Sequence, residues 1–334
     1  MKIAFIGHGY HLKTGSSRFF LDLISPYCDV DYYWDNSYKG EEGIDFDLIA
    51  NRKYKKVIIW QMVRILPKTT QYPEIDWYSV PMLDDAWEAT DDVFNNKKIK
   101  YISFSKYLHD RLINLGCESY FFQFYLNPFD YAINNTNSLI GFFWERTDKI
   151  TFGDTISKIV NINEFKKFNC HICSDPGYEE KQDILKYKNK YKNLFLSNWF
   201  DNKADFDHFL NEFTVFFAPR EVEGIGFSFL EAMSMGQCVI APNNGTMNEY
   251  IVDGYNGILY DIDSPRLVDL SRINEIRKNA RQSCIEGYYK WLTEKEKINQ
   301  LIFELEDDIY PYRLPSIKFQ NKEILSIKYK EEAT

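Results

Sequence analysis

No stretch of this sequence approaches the roughly 18 consecutive apolar residues of a membrane-spanning helix. None reads as a secretory leader either. Met1-Lys2 passes directly into Ile3-Ala4-Phe5-Ile6-Gly7, too short for such a segment and well suited to a first strand. A basic excess is also lacking: 40 Lys and Arg stand against 49 Asp and Glu, a net charge of −9. That balance argues against nucleic acid as the main partner, and an anionic ligand would need a local basic pocket. Cysteine is scarce, six in 334 residues. The one Cys-x-x-Cys, Cys170 to Cys173, has no second ligand pair at zinc spacing and lies in an apolar run, so both thiols read as structural. These absences lead us to expect a cytoplasmic protein with reduced thiols, at most peripheral at the inner face of a membrane. Lys318, Lys322, Lys328 and Lys330 are interspersed with acids and read as a solvated tail.

What is present is enough apolar chain for two ordinary domains: 45% hydrophobic residues, with 24 Tyr and 26 Phe that suit aromatic cores better than sugar-stacking surfaces. Strand-like and helix-like segments alternate throughout, the pattern of α/β layers with parallel sheets. Strands are expected at Lys2–Gly7, Val30–Trp34, Lys56–Gln61, Trp77–Met82, Lys100–Phe104 and Tyr120–Tyr125, then at Ile140–Trp144, Phe168–Cys173, Leu194–Ser197, Val215–Ala218 and Val239–Ala241. Helices are expected at Ser16–Ile24, Asp84–Thr90 and Lys106–Leu115, with more in the second half and a long helical close from about Ser264 to Leu305. Polar residues 127–138, with Pro128, read as a linker. The division is therefore 1–126, linker 127–138, 139–305, and a tail 306–334 that packs back or stays mobile. No repeat of solenoid period occurs.

The densest signal lies at residues 223–241. Glu223 and Glu231 stand with seven residues between them, and Gly224-Ile225-Gly226 comes just after the first. A helix is expected from about Phe227 to Met235, stopped by Gly236. The glycines permit backbone angles or a close approach that side chains would forbid. Free N–H groups at the helix start, in Phe227 and Ser228, suit hydroxyls, carboxylates or phosphates. Glu231, one turn inside, can accept paired ribose hydroxyls, as acidic residues of dinucleotide folds do. The spacing alone is weak, since Glu223 could cap the helix and Glu231 face solvent. Its context is stronger: a second strand follows, then Asn244-Gly245-Thr246-Met247-Asn248-Glu249 and Asp253-Gly254-Tyr255-Asn256-Gly257.

Residues 215–260 resemble the donor-site region of the retaining glycosyltransferases of GT-B fold, in particular the family 4 group. That region is written E-G-F-G-x-x-x-L-E-A-M-A-x-G-x-P-V-I-A, then G-G-x-x-E and D-G-x-N-G. This chain departs with Arg220 in place of Ser, Gln237-Cys238 in place of a residue and Pro, and Thr246 in place of the second Gly of G-G-x-x-E. Ser105 through Gly116 is similar to the family's helix before the linker, and Asn127–Asp130 to its N-G-V-D crossing. The resemblance implies two Rossmann-like domains facing across a cleft, acceptor on the first and donor on the second. The last helices would cross back to the first domain.

It also implies roles. Gly15-Ser16, in a Gly-rich loop that fits neither G-x-G-x-x-G nor the P-loop pattern, would face the donor phosphates. By itself that loop reads more simply as an ordinary strand–helix turn. Arg146 and Lys149 would stabilise the leaving diphosphate, with the spacing shorter than usual in the family. Gly224, Ile225, Gly226, Phe227 and Ser228 would hold sugar hydroxyls, Glu223 would orient the sugar or stabilise developing positive charge, and Glu231 would bind ribose. Asp84 or Asp85 stands where many relatives place an acceptor-side His. Either could bind acceptor hydroxyls, although capping the helix that begins nearby is the simpler reading. No Asp-x-Asp pair is placed to hold a metal–diphosphate, so no metal and no cofactor beyond a nucleoside diphosphate sugar is expected. The acceptor is open between carbohydrate, lipid-linked and small-molecule classes. Two other readings share the architecture: a sugar phosphorylase, and a non-catalytic sugar-nucleotide-binding subunit.

Overall fold

The structure is a computed structural model that describes residues 1–174 and 184–305. The tail call on 306–334, with Lys318, Lys322, Lys328 and Lys330, lies outside the described residues. Among the described residues, twelve strands form two six-stranded sheets, and every pairing between named strands is parallel. The first sheet contains β1 (Lys2–His8), β2 (Asp29–Asp35), β3 (Lys56–Trp60), β4 (Asp76–Val80), β5 (Lys100–Ser103) and β6 (Glu118–Phe121), in the order β2-β1-β3-β4-β5-β6. The second contains β7 (Ile140–Glu145), β8 (Lys167–Ile172), β9 (Leu194–Ser197), β10 (Val215–Phe217), β11 (Cys238–Pro242) and β12 (Ile258–Tyr260), in the order β12-β11-β10-β7-β8-β9.

Central strands are apolar on both faces because helices cover both sides of a parallel sheet. In β1, Ala4 and Ile6 join the core of the first half, whereas Ile3 and Phe5 face a larger core. In the second half, Phe143, Val215 and Phe217 face one core while Phe142 and Phe216 face that same larger one. Phe124, Tyr125 and Trp291 complete the larger core, which thus runs through both halves. The final helix, Glu296–Phe303, returns to the first sheet. Asn299 Nδ2 donates to Leu23 O at 3.2 Å, and Tyr78 OH donates to Leu301 O at 3.2 Å.

Several expectations need correction. The sixth strand is Glu118–Phe121, not Tyr120–Tyr125; Phe122, Phe124 and Tyr125 leave the sheet and bury their rings in the core shared by the halves. The helix expected at Asp84–Thr90 is one turn only, Leu83–Ala86. The closing helical stretch begins at Ile273 rather than near Ser264. The helix expected from Ser16 begins at Arg18, and the loop before it holds a further turn, His11–Thr14.

The segment expected as a linker, residues 127–138, is held by arginines of helix Ile273–Glu294. Buried Arg277 donates from Nε to Gly236 O (2.8 Å), from Nη1 to Thr136 O (2.7 Å) and from Nη2 to Asn134 O (2.8 Å). Arg281 reaches Pro128 O, Ser234 O and Tyr131 O. A guanidinium fork can serve several acceptors at once, which an ammonium matches poorly. Arg277→Ala leaves three carbonyls short of a partner and should cost about 2–4 kcal/mol in denaturant unfolding, with Arg277→Lys recovering less than half. A loss under about 0.5 kcal/mol would show that water replaces the fork.

Candidate active site

In open parallel sheets, ligands bind beyond the carboxyl ends of the strands where the strand order reverses. In the second sheet that point lies between β7 and β10: β8 and β9 extend to one side of β7, and β10, β11 and β12 to the other. The residues just past β7 are Arg146 to Lys149, and those past β10 lead through Arg220 to Glu223. In the first sheet the reversal lies between β1 and β3, beside the Gly-rich loop and Gln61. The two crevices carry most of the residues singled out above.

Gly226 and Gly224 are required for different reasons. Gly226 has φ +83, and a Cβ there would lie 1.9 Å from Phe229 Cε1, so the turn into helix Phe227–Ser234 admits no side chain. At Gly224 a Cβ would lie 2.9 Å from Asp84 Oδ1 and from Met82 Cβ, so glycine allows the second half to approach the first. Ile225 is buried, while Phe227 and Ser228 open the helix half-buried.

Glu223 is buried at 7% exposure, and its Oε1 has no hydrogen-bond partner among the described residues. Its Oε2 lies 3.7 Å from Arg220 Nη1, which also lies 3.6 Å from Asp84 Oδ2. One guanidinium therefore bridges a carboxylate from each half. Burial pushes the Asp84 carboxyl up to about 6; Arg220 opposes this, and Glu223 and Asp85 add to it.

The capping expectation fails for both aspartates. The helix Leu83–Ala86 has no side-chain cap. Asp85 instead accepts Val63 N–H at 2.7 Å, at the start of the 3-10 helix Val63–Gln71. Asp84 Oδ1 accepts the Asp85 N–H at 3.1 Å and faces Gln61 Nε2 at 3.5 Å. Gln61 and Met62 both adopt positive φ (58° and 55°), so the end of β3 is strained beside Asp84.

Glu231 lies farther along its helix. Its Oε1 is 2.9 Å from Lys203 Nζ and accepts a long bond from Tyr131 OH at 3.4 Å. Burial raises the Glu231 carboxyl above its usual range against the pull of Lys203. Arg146 lies 4.4 Å over the ring of Trp144, and Lys149 is exposed. Neighbouring His171 is buried and hydrogen-bonded to Ser197 Oγ at 3.0 Å; burial and then Arg146 lower it to about 4, so it is neutral at neutral pH. Gly15 ends the turn His11–Thr14 at φ +65, and Ser16 Oγ is 2.5 Å from His11 Nδ1. From this loop Lys13 Nζ reaches 5.0 Å from the ring of Trp199, a residue of the second half.

The structure thus joins Asp84, Glu223 and Gly224 across the halves. Lys203 and Tyr131, which the sequence reading missed, gather at Glu231. The sequence reading noted Thr246 only as a departure from the resemblance and missed its role. This β-branched residue is buried at φ +74, and its hydroxyl donates to Glu223 O at 2.5 Å. The signal available was its position, where the resemblance has glycine. A cavity of about 560 Å³ lies elsewhere, on the β12 edge between Asp253 and Arg272; none of these cleft residues lines it.

Comparison with known proteins agrees with this architecture. Residues 155–291 match the family model described as Glycosyl transferases group 1, a span that includes most of the motif resemblance. An uncharacterised glycosyltransferase of Methanocaldococcus jannaschii is 27% identical over 135 residues, 38% of each chain. The chain thus spans well under half the length of this curated relative. Among solved structures, a sucrose-phosphate synthase from Thermosynechococcus elongatus superposes with TM-score 0.71 at 12% identity, over 91% of this chain and 98% of that one. The Anabaena protein Alr3699/HepE in complex with UDP and glucose gives 0.65 at 13%, over 91% and 100%. The fold is the GT-B fold. The family match over residues 155–291 covers under half of the chain, and these structures share its fold.

Proposed function

We propose that this protein transfers a sugar from a nucleoside diphosphate sugar to an acceptor hydroxyl, with retention at the anomeric carbon. The observation that carries the reading is Glu223. Its buried Oε1 lacks a partner at a strand-order reversal, beside the free end of helix Phe227–Ser234. A buried carboxylate oxygen left without a hydrogen bond is costly, and a sugar hydroxyl or a developing positive charge at the anomeric carbon would offset that cost.

In this reading the second half holds the donor. Glu231 accepts ribose hydroxyls beside Lys203. Helix N–H groups from Phe227 and Ser228 hold sugar hydroxyls, while Arg146 and Lys149 stabilise charge on the departing diphosphate. Gly15 and Ser16 approach the phosphates from the first half. No metal ion is required. UDP in the HepE complex makes a uridine donor the first to try. The acceptor hydroxyl would enter from the first half, at Asp84.

The test is incubation with UDP-, GDP-, dTDP- and ADP-sugars, with and without inorganic phosphate. Following nucleotide release and the anomeric form of the freed sugar by NMR should show turnover of one nucleotide class without phosphate, with configuration retained. Sugar 1-phosphate formed only from phosphate and a glycoside would favour a phosphorylase instead.

Glu231→Ala carries a separate prediction. Losing a carboxylate acceptor for two ribose hydroxyls should weaken nucleotide binding roughly tenfold to hundredfold by calorimetry. Unchanged affinity would remove Glu231 from the ribose site.

A further inference from the structure

Resting on the glycosyl-transfer reading above, we propose that Trp144 is a positioning residue for the donor diphosphate. Its indole ring is a shelf that holds the Arg146 guanidinium where the two phosphates are to lie.

The shelf follows from the strand. Trp144 is the penultimate residue of β7, and Arg146 is the first residue beyond it. Side chains two positions apart leave an extended chain on the same face. The Arg146 side chain turns back over the ring, with its guanidinium carbon 4.4 Å from the ring centroid. That is the range of a cation–π contact. The ring offers its π face and no acceptor atom. It therefore orients the guanidinium without supplying the oxygen partner that a phosphate brings.

The ring itself is fixed from three directions. Its Nε1 donates to Cys173 O, just past β8, at 2.8 Å. The His171 ring of β8 meets it edge-on at 5.2 Å and 79°, and His171 is held in turn by Ser197 Oγ at 3.0 Å. Phe206 of helix Lys203–Leu210 meets it at 5.6 Å and 61°. The same helix brings Lys203 Nζ to 2.9 Å from Glu231 Oε1. One frame thus sets both the cation for the diphosphate and the carboxylate for the ribose.

The two cations proposed for the diphosphate differ in this respect. Lys149 is exposed, whereas Arg146 is half-buried on the ring. Electrostatic stabilisation is strongest from a charge already in place before the reaction, so Arg146 supplies the preorganised part and Trp144 is what preorganises it. As core filler alone, Trp144 would support every nucleotide equally. As a shelf for Arg146, it supports the diphosphate in particular.

The experiment measures calorimetric affinities of the full chain for the diphosphate and the monophosphate of the preferred nucleoside, with kcat and KM for the nucleotide sugar. Trp144→Leu should weaken the diphosphate about 3- to 30-fold, the range of one cation–π contact, and the monophosphate less than about twofold. Its kcat should fall by more than its KM rises, because charge on the departing diphosphate is greatest in the transition state. Trp144→Phe keeps a ring face and should recover most of the loss. Equal losses for the two nucleotides, no loss, or a Phe variant no better than Leu would overturn the proposal and leave the transfer reading intact. If Trp144→Leu does not fold, nitrogen-15 relaxation of the Arg146 Nε–H in wild type decides. Order close to that of rigid backbone before nucleotide is added supports the shelf, and a side chain that orders only with nucleotide overturns it. If wild type binds no nucleotide at all, the transfer reading fails, and this proposal with it.

Discussion

Glu223→Gln is expected to lower kcat about 10²- to 10³-fold, the scale seen when one preorganised electrostatic group at a reacting centre is lost, while leaving the protein as stable as wild type or slightly more so. The two halves of this expectation have one cause. The carboxylate is buried with Oε1 unpaired, and the Arg220 guanidinium beside its Oε2 is 3.7 Å away and shared with Asp84. Folding thus bears a desolvation cost that the protein's own contacts do not return. Neutralising the group relieves that cost and removes the charge that would meet a sugar at its anomeric carbon. Position is preserved, because Thr246 Oγ1 holds the Glu223 carbonyl rather than its side chain. Nucleotide affinity should change little, since the ribose site is Glu231. Kinetics and thermal unfolding of one sample pair check both. A fall in stability of more than about 2 kcal/mol with activity retained would make Glu223 a structural residue.

Glu249→Ala is expected to do the reverse, acting on the frame rather than the chemistry. Glu249 lies in the second half, in helix Met247–Tyr250, yet its carboxylate serves a helix of the first. Ser105 Oγ donates to Oε1 at 2.7 Å, Lys106 N–H to Oε2 at 2.6 Å and Tyr107 N–H to Oε1 at 3.1 Å. Ser105 also accepts Leu108 N–H at 3.4 Å. The first turn of helix Lys106–Asn114 is thus capped jointly by its own serine and by a glutamate from the other half. Gln123 Nε2 donates to Glu249 O at 2.9 Å, and Tyr250 OH to Phe124 O at 3.0 Å, beside the same seam. Three bonds to an ionised acceptor at a helix start should together be worth about 2–4 kcal/mol. Glu249→Ala should lose that much in denaturant unfolding and enlarge the radius of gyration in small-angle scattering. Glu249→Gln, which offers one oxygen in place of two, should fall between. A variant with unchanged stability and dimensions would show that the aromatic seam alone fixes the two halves.

The strands were legible because parallel strands buried on both faces must be apolar at every position. Ile3-Ala4-Phe5-Ile6 and Val57-Ile58-Ile59-Trp60 fit no other role at that length. β12 escaped notice because it has only three residues after a glycine-rich turn, Ile258-Leu259-Tyr260, too few to show a period. The sixth strand was placed late because Phe122, Phe124 and Tyr125 carry the apolar signal of a strand but serve the seam between halves. Glu223, Gly224, Gly226 and Glu231 could be found because one turn and one helix start hold them in a short linear pattern. The bridge from Asp84 through Arg220 to Glu223 could not, nor could the Glu249 cap. Their partners are far apart in sequence, and only the closure of one sheet on the other brings them together. Arg220 appeared merely as a departure from the resemblance, and its bridging role needed coordinates.

The most direct test of the account is titration of wild type and Glu231→Ala with UDP, GDP, dTDP, ADP and CMP sugars, without added metal, by thermal shift and then calorimetry. The account predicts that one nucleotide class stabilises the wild type, by about 2.7 kcal/mol at a hundred times its dissociation constant, and that Glu231→Ala loses most of that gain. No stabilisation by any of them, or an equal shift in the variant, would contradict the donor site on which the rest depends.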